Sequence, residues 1–318
     1  MKQAELFAEN HERLSARFFE RRTPLSRAGA MLLTAAGRKI EAHRLDRAAA
    51  AGRTLLEREG LHDPELLPLV SAFLLLDGDM DRFAFRLRRG LRALKLEFFP
   101  SAQLLWGGCL MALLGQDGTD YDALSAKTKK IYTGMEHLQP FCTTYQDIPV
   151  CVLYALRGGD DADGRLAECV QRLKPVFRLR NSVQALAQVL AVWPDSEARC
   201  VQALELYRSF VTDGLRLGRG ISLTALGVLA GADLPAQRLA ERTAEICREL
   251  DHVDGLNIWG ISRKERLLWS AMLAALEWQE ERPTQAGRDA LTAGILAVAA
   301  VHTPDALPGA EHPGEFTL

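Results

Sequence analysis

His137, Cys142, Tyr145 and Asp147 fall within eleven residues of one another, the densest grouping of reactive side chains in the chain. A thiol beside an imidazole and a carboxylate has the parts for nucleophilic catalysis, with histidine as base and the acid as its orienter. No flanking motif fixes that chemistry. These four residues are therefore the catalytic candidates of an alternative reading, an enzyme with a non-motif site in a helical cleft.

Other constellations fail on spacing. His11-Glu12 opens like a zinc-protease motif, but Ser15 stands where the second histidine ligand belongs. The seven histidines, at 11, 43, 62, 137, 252, 302 and 312, never pair at one-turn helical spacing. Asp77-Gly78-Asp79-Met80-Asp81 begins like a calcium loop, yet Arg82 and Arg88 occupy its sixth and twelfth places. A phosphate-binding Gly-x4-Gly-Lys loop, a dinucleotide Gly-x-Gly-x-x-Gly turn and a Gly-x-Ser-x-Gly elbow are all missing. No metal and no cofactor are expected. The six cysteines contain no Cys-x-x-Cys and mostly sit in apolar runs, as reduced buried thiols do.

Charge supplies two further candidates. Arg82, Arg86, Arg88, Arg89, Arg92 and Lys95 fall within one stretch that could hold phosphates, so a nucleic-acid binder through residues 82–95 is a second alternative. The turns between helices also differ in sign. Those that follow apolar segments are acidic, and those that follow charged segments carry Arg178, Arg180, Arg216 and Arg219. If equivalent turns align along one edge, that edge is basic and is the expected partner-binding surface, together with Trp259 in the one connection that breaks the repeat. The totals, 39 basic against 41 acidic residues, give no global field toward nucleic acid or membrane.

The elements that must position these residues are helices. Leu and Ala dominate the apolar set, and no stretch alternates in the period-2 manner of strands. Apolar segments recur near 31–36, 70–76, 110–114, 150–156, 186–192, 223–229 and 267–278, each followed by a turn and a charged amphipathic segment. The turns fall near Gly37, Asp77, Gly115, Gly158, Pro194 and Gly231, a period near 40 residues. Two helices per period predict an all-α, α-solenoid-like single array of stacked helix pairs. Acidic residues after each apolar segment, including Asp79, Asp117, Asp120, Asp160, Asp195 and Asp233, fit helix N-termini. Residues 1–301 read as one domain, with an N-terminal helix near 2–19 and helix pairs over about 25–301; 302–318 reads as a disordered tail.

Lys130-Ile131-Tyr132, Gln146-Asp147-Ile148-Pro149, Asn181-Ser182-Val183-Gln184-Ala185-Leu186 and Leu206-Tyr207 resemble the bacterial family catalogued as domain of unknown function four-thousand-and-three. The resemblance spans Tyr121 to Trp278 and implies an all-helical fold of about this length, with no site to carry over. The leading expectation is a non-enzymatic helical-repeat protein that binds a protein or peptide partner through a concave face. The opening Met1–Glu5 has no apolar core of a signal peptide, and the run from Ala290 to Val301 is short for a bilayer, so a cytoplasmic address without membrane contact is expected.

Overall fold

The computed structural model describes residues 2–18, 23–116, 118–157, 161–217 and 220–303. Among these residues there are fifteen α-helices and no strands. Asp117, Gly158, Asp160 and Arg219, together with positions 304–318 of the expected tail, lie outside the described residues.

Two kinds of helix alternate. One set comprises α1 (Gln3–Arg17), α3 (Ala42–Arg58), α5 (Met80–Glu97), α7 (Tyr121–Leu138), α9 (Ala162–Leu173), α11 (Ser196–Thr212) and α13 (Ala236–Leu250). The other comprises α2 (Pro24–Ala35), α4 (Leu67–Asp77), α6 (Leu104–Leu114), α8 (Ile148–Leu156), α10 (Arg180–Leu190), α12 (Thr224–Leu229) and α14 (Arg263–Glu281). The last helix is α15 (Gln285–Val301).

The sequence explains the division. In α4 every residue from Leu67 to Leu75 is buried, and in α6 every residue from Leu104 to Ala112. Helices apolar on all sides must be wrapped by others. By contrast α13 buries only Leu239, Ala240, Thr243, Ile246 and Leu250, a single stripe at helical spacing. The uniformly apolar helices, α2 to α14 in even numbers, lie inside, and the striped ones, α1 to α13 in odd numbers, lie outside.

Neighbouring inner helices pack on one another, α2 on α4, α6 on α8, α10 on α12 and α12 on α14. Each outer helix returns the chain, so the inner helices run in one direction and their starts share an edge. Helices α5 and α6 pack closely along their length. A Cβ added at Gly108 would lie 2.8 Å from Leu87 and 2.9 Å from Leu91, which is why that position carries no side chain.

The two ends of the series meet. Phe7 of α1 lies 6.1 Å from the ring of Trp269 of α14, and Arg27 of α2 pairs with Glu265 of α14 at 2.6 Å. Inside this arrangement runs α15, packed against α2, α8, α10 and α12 and buried along most of its length. Arg157 of α8 pairs with Asp289 near its start at 2.8 Å, and beyond its end the buried Thr303 receives the Trp106 indole N–H at 2.7 Å. The inner face that an open array would offer to a partner is therefore occupied by the protein's own helix.

The acidic turn residues divide by backbone geometry. Asp79 accepts from Arg82 N at 3.0 Å, and Asp120 from Ala123 N at 3.0 Å, both with extended ψ values near 95°. Asp195, at ψ 42°, caps nothing and instead pairs with Arg199 at 2.9 Å. A cap needs the extended region to aim its carboxylate at the first amides.

Candidate functional site

The edge where the inner helices begin holds a cationic site. There a cavity of about 480 Å³ opens between the connection from α7 to α8 and the connection from α9 to α10. Lys174, Arg178 and Arg180 line it with Gln139, Phe141 and Phe177, and no carboxylate is among the lining residues. None of the three cations forms an ion pair among the described residues.

Two further features point the cavity toward anions. Gln139 is only 5 % exposed, and its side-chain N–H₂ has no hydrogen-bond partner. A buried donor left unsatisfied costs about 1–3 kcal/mol, a cost that an incoming acceptor relieves. Leu179 precedes α10 without a side-chain cap, and its carbonyl takes the amides of Ser182 and Val183. The first amides of α10, beside Arg180, are thus free to meet negative charge.

Local sequence explains why this connection differs from its neighbours. Before α8, Thr144 and Asp147 form a capping box: Thr144 N donates to the Asp147 carboxylate at 2.7 Å, and the Thr144 hydroxyl accepts from Gln146 N at 3.3 Å. Before α4, Asp63 accepts from Glu65 N at 2.8 Å. The corresponding turn before α10 reads Val176-Phe177-Arg178-Leu179 and contains no side chain able to cap.

Of the catalytic candidates, Asp147 belongs to structure. It is buried, it accepts from Gln188 Nε2 at 2.5 Å, and burial pushes its carboxyl up to about 6. The Tyr145 hydroxyl accepts from Phe99 N at 3.3 Å, and its ring packs edge-on against Phe98 and Tyr132. His137 is exposed on the last turn of α7. Cys142 is half-buried; burial raises its thiol pKa, and the opposing pull of Arg180 and Lys174 does not cancel that. No hydrogen bond joins Cys142 to His137 or Asp147 among the described residues, so the four do not assemble a nucleophile and its base. No group of three or more His, Cys, Asp or Glu among these residues could hold a metal ion.

A family model described as protein of unknown function (DUF4003) matches residues 93–300. The chain belongs to that family. No curated protein and no solved structure matches it. The DUF4003 span starts within α5 and ends within α15, so it contains the whole cationic cavity.

The remaining sequence candidates in this DUF4003 chain separate clearly. Arg178 and Arg180 come together in the cavity. Arg216 is exposed in the connection from α11 to α12, and Trp259, 89 % exposed, in that from α13 to α14; both lie on the same edge but outside the cavity lining. Along α5 the cations are largely engaged within the protein. Arg86 pairs with Asp77, Lys95 with Glu59 at 2.8 Å, and Arg89 lies 5.0 Å over the Tyr121 ring. Arg82 also has a partner, while Arg88 and Arg92 are exposed. Lys174, Gln139 and Phe141 carried no sequence signal, because a single lysine, glutamine or phenylalanine in a turn is ordinary. Among the described residues no helix is long and apolar enough to cross a membrane.

Proposed function

We propose that this chain is a non-enzymatic binding protein that holds an acidic, apolar-bearing segment of a partner protein along the edge where its inner helices begin. One observation carries the reading: unpaired cations and exposed large apolar side chains occur together there. Phe99, Phe141, Val176, Leu179, Ile258 and Trp259 are all exposed, and all lie in connections that lead from an outer helix to an inner one. Lys174, Arg178 and Arg180 stand among them. Aromatic and arginine side chains with apolar neighbours are the composition of binding hot spots. Phe141, 84 % exposed at the cavity mouth, is the natural anchor. A cytoplasmic setting accords with six cysteines that are all free.

The occupant would place one carboxylate against Gln139 and the start of α10, with apolar residues against Phe141 and Phe177. Fluorescence anisotropy with a labelled peptide alternating Glu and Leu tests this, against the same peptide carrying Lys for Glu. The Glu peptide should bind and the Lys peptide should not. Arg178→Glu with Arg180→Glu should weaken binding by about ten-fold or more, since each exposed charge contributes up to about 1 kcal/mol and reversal doubles the effect. Equal binding of both peptides, or no response to the reversal, defeats the proposal.

A further inference from the structure

The opposite edge holds a second cavity of different chemistry, where the ends of α2, α4, α6, α8 and α14 converge on the first turns of α15. Its volume is about 530 Å³, within the range of small-molecule sites. Its wall is apolar, formed by Leu32, Phe73, Leu110, Leu113, Leu276 and Leu291. Polar groups also line it, most of them from the first turns of α15 and the end of α14. There Asp289, itself buried, accepts from Arg157 at 2.8 Å and from Gln285 at 2.9 Å, and Arg288 donates to Gln285 at 3.0 Å.

Gln279, from the last turns of α14, belongs to this polar lining. It is 8 % exposed, lines the cavity, and its carbonyl oxygen Oε1 has no hydrogen-bond donor. Its position is fixed by close packing: a Cβ at Gly287 would come within 2.9 Å of its amide carbon, so the glycine leaves it room. The unsatisfied group is an acceptor, and the inner helices present their carbonyl ends here, which favours positive over negative polarity. Of the two cations in the lining, Arg157 is paired with Asp289 and the exposed Arg288 donates to Gln285, while Glu280 adds a carboxylate to the lining.

From this geometry we propose that the cavity binds an amphipathic small molecule with an apolar chain and a hydrogen-bond-donating head, a hydroxyl or an ammonium, held by Gln279 Oε1. The chain of the ligand covers the leucine wall, and its head supplies the missing donor. This site is independent of the partner-binding edge. It lies at the other end of the inner helices and shares no lining residue with the cationic cavity.

Isothermal titration of the full-length protein with decanol, decylamine and decanoate, each below its micelle concentration, tests the proposal. Decanol and decylamine should bind with a stoichiometry of one, at least about ten-fold tighter than decanoate. Leu113→Trp, at a half-buried wall position, should fill the cavity and abolish binding of all three. Gln279→Leu should retain chain binding but lose the preference for donor heads. Thermal melts show that each variant is folded; should Leu113→Trp fail that check, the head preference and its loss in Gln279→Leu decide alone. No binding by the unaltered protein, preference for decanoate, or a head preference that survives Gln279→Leu would overturn the assignment.

Discussion

Asp147→Asn tests the buried network beneath α8. In the folded protein the carboxyl is pushed up to about 6, because burial penalises its charge more than the hydrogen bonds from Gln188, Thr144 and Gln184 favour it. In the unfolded chain the ordinary value is 3.8. The difference of roughly two pK units corresponds to about 3 kcal/mol. Below pH 4 the group is protonated in both states, and its contribution to stability is fully present. Between pH 4 and 6 the unfolded chain releases the proton that the folded chain keeps, so folding becomes less favourable as pH rises. Above pH 6 both states are ionised and the about 3 kcal/mol has been lost. Asparagine cannot titrate, so the variant lacks this loss while every other group titrates as before. Urea unfolding of both proteins at pH 3.5, 4.5, 5.5 and 7 gives the stability of wild type minus variant. That difference should fall by about 3 kcal/mol across the series. A difference that stays flat, or that rises with pH, refutes the argument, because it would mean that the hydrogen bonds outweigh burial.

Three other substitutions follow from packing and charge. Gly108→Ala should cost about 1 kcal/mol, since overpacking against Leu87 and Leu91 outweighs the gain in helix propensity; combining it with Leu91→Ala should reduce that cost, measured by urea midpoints. Arg86→Ala should destabilise by about 3 kcal/mol, because Asp77 is left mostly buried without its partner; a change under 0.5 kcal/mol would show that the pair is effectively solvated. Trp259→Phe should leave the melting temperature unchanged yet remove most of the fluorescence quenched by iodide, because Trp106, Trp193 and Trp269 are buried.

The helix pairs were legible because Leu and Ala runs cannot be strands, and because uniformly apolar segments alternate with striped ones. The run from Leu67 to Leu75 demands burial on every side, and that demand can be read without coordinates. What burial cannot reveal is the partner. The stretch from Ala290 to Val301 looks like one more inner helix, and nothing in its composition distinguishes a wall from a filling. The meeting of α1 with α14 is equally silent, since Phe7 and Trp269 are 262 positions apart and each reads as ordinary core. At the cationic cavity, Arg178 and Arg180 were visible as a basic turn. Gln139 was not, because an unsatisfied amide is a property of surroundings rather than of residue type.

The placement of α15 bears on how the chain acquires its structure. Helices α2, α8, α10 and α12 complete their packing only against this last helix, and some 250 residues separate the end of α2 from its start. On a ribosome adding about 5–20 residues per second, the inner surface of α2 waits on the order of ten to fifty seconds for its cover. Until then each nascent chain carries a leucine-lined trough able to accept a helix from a neighbouring chain. Synthesis speed and chaperone supply thus become determinants of yield, and a shortened transcript ending before α15 would release a chain with its apolar interior open to exchange.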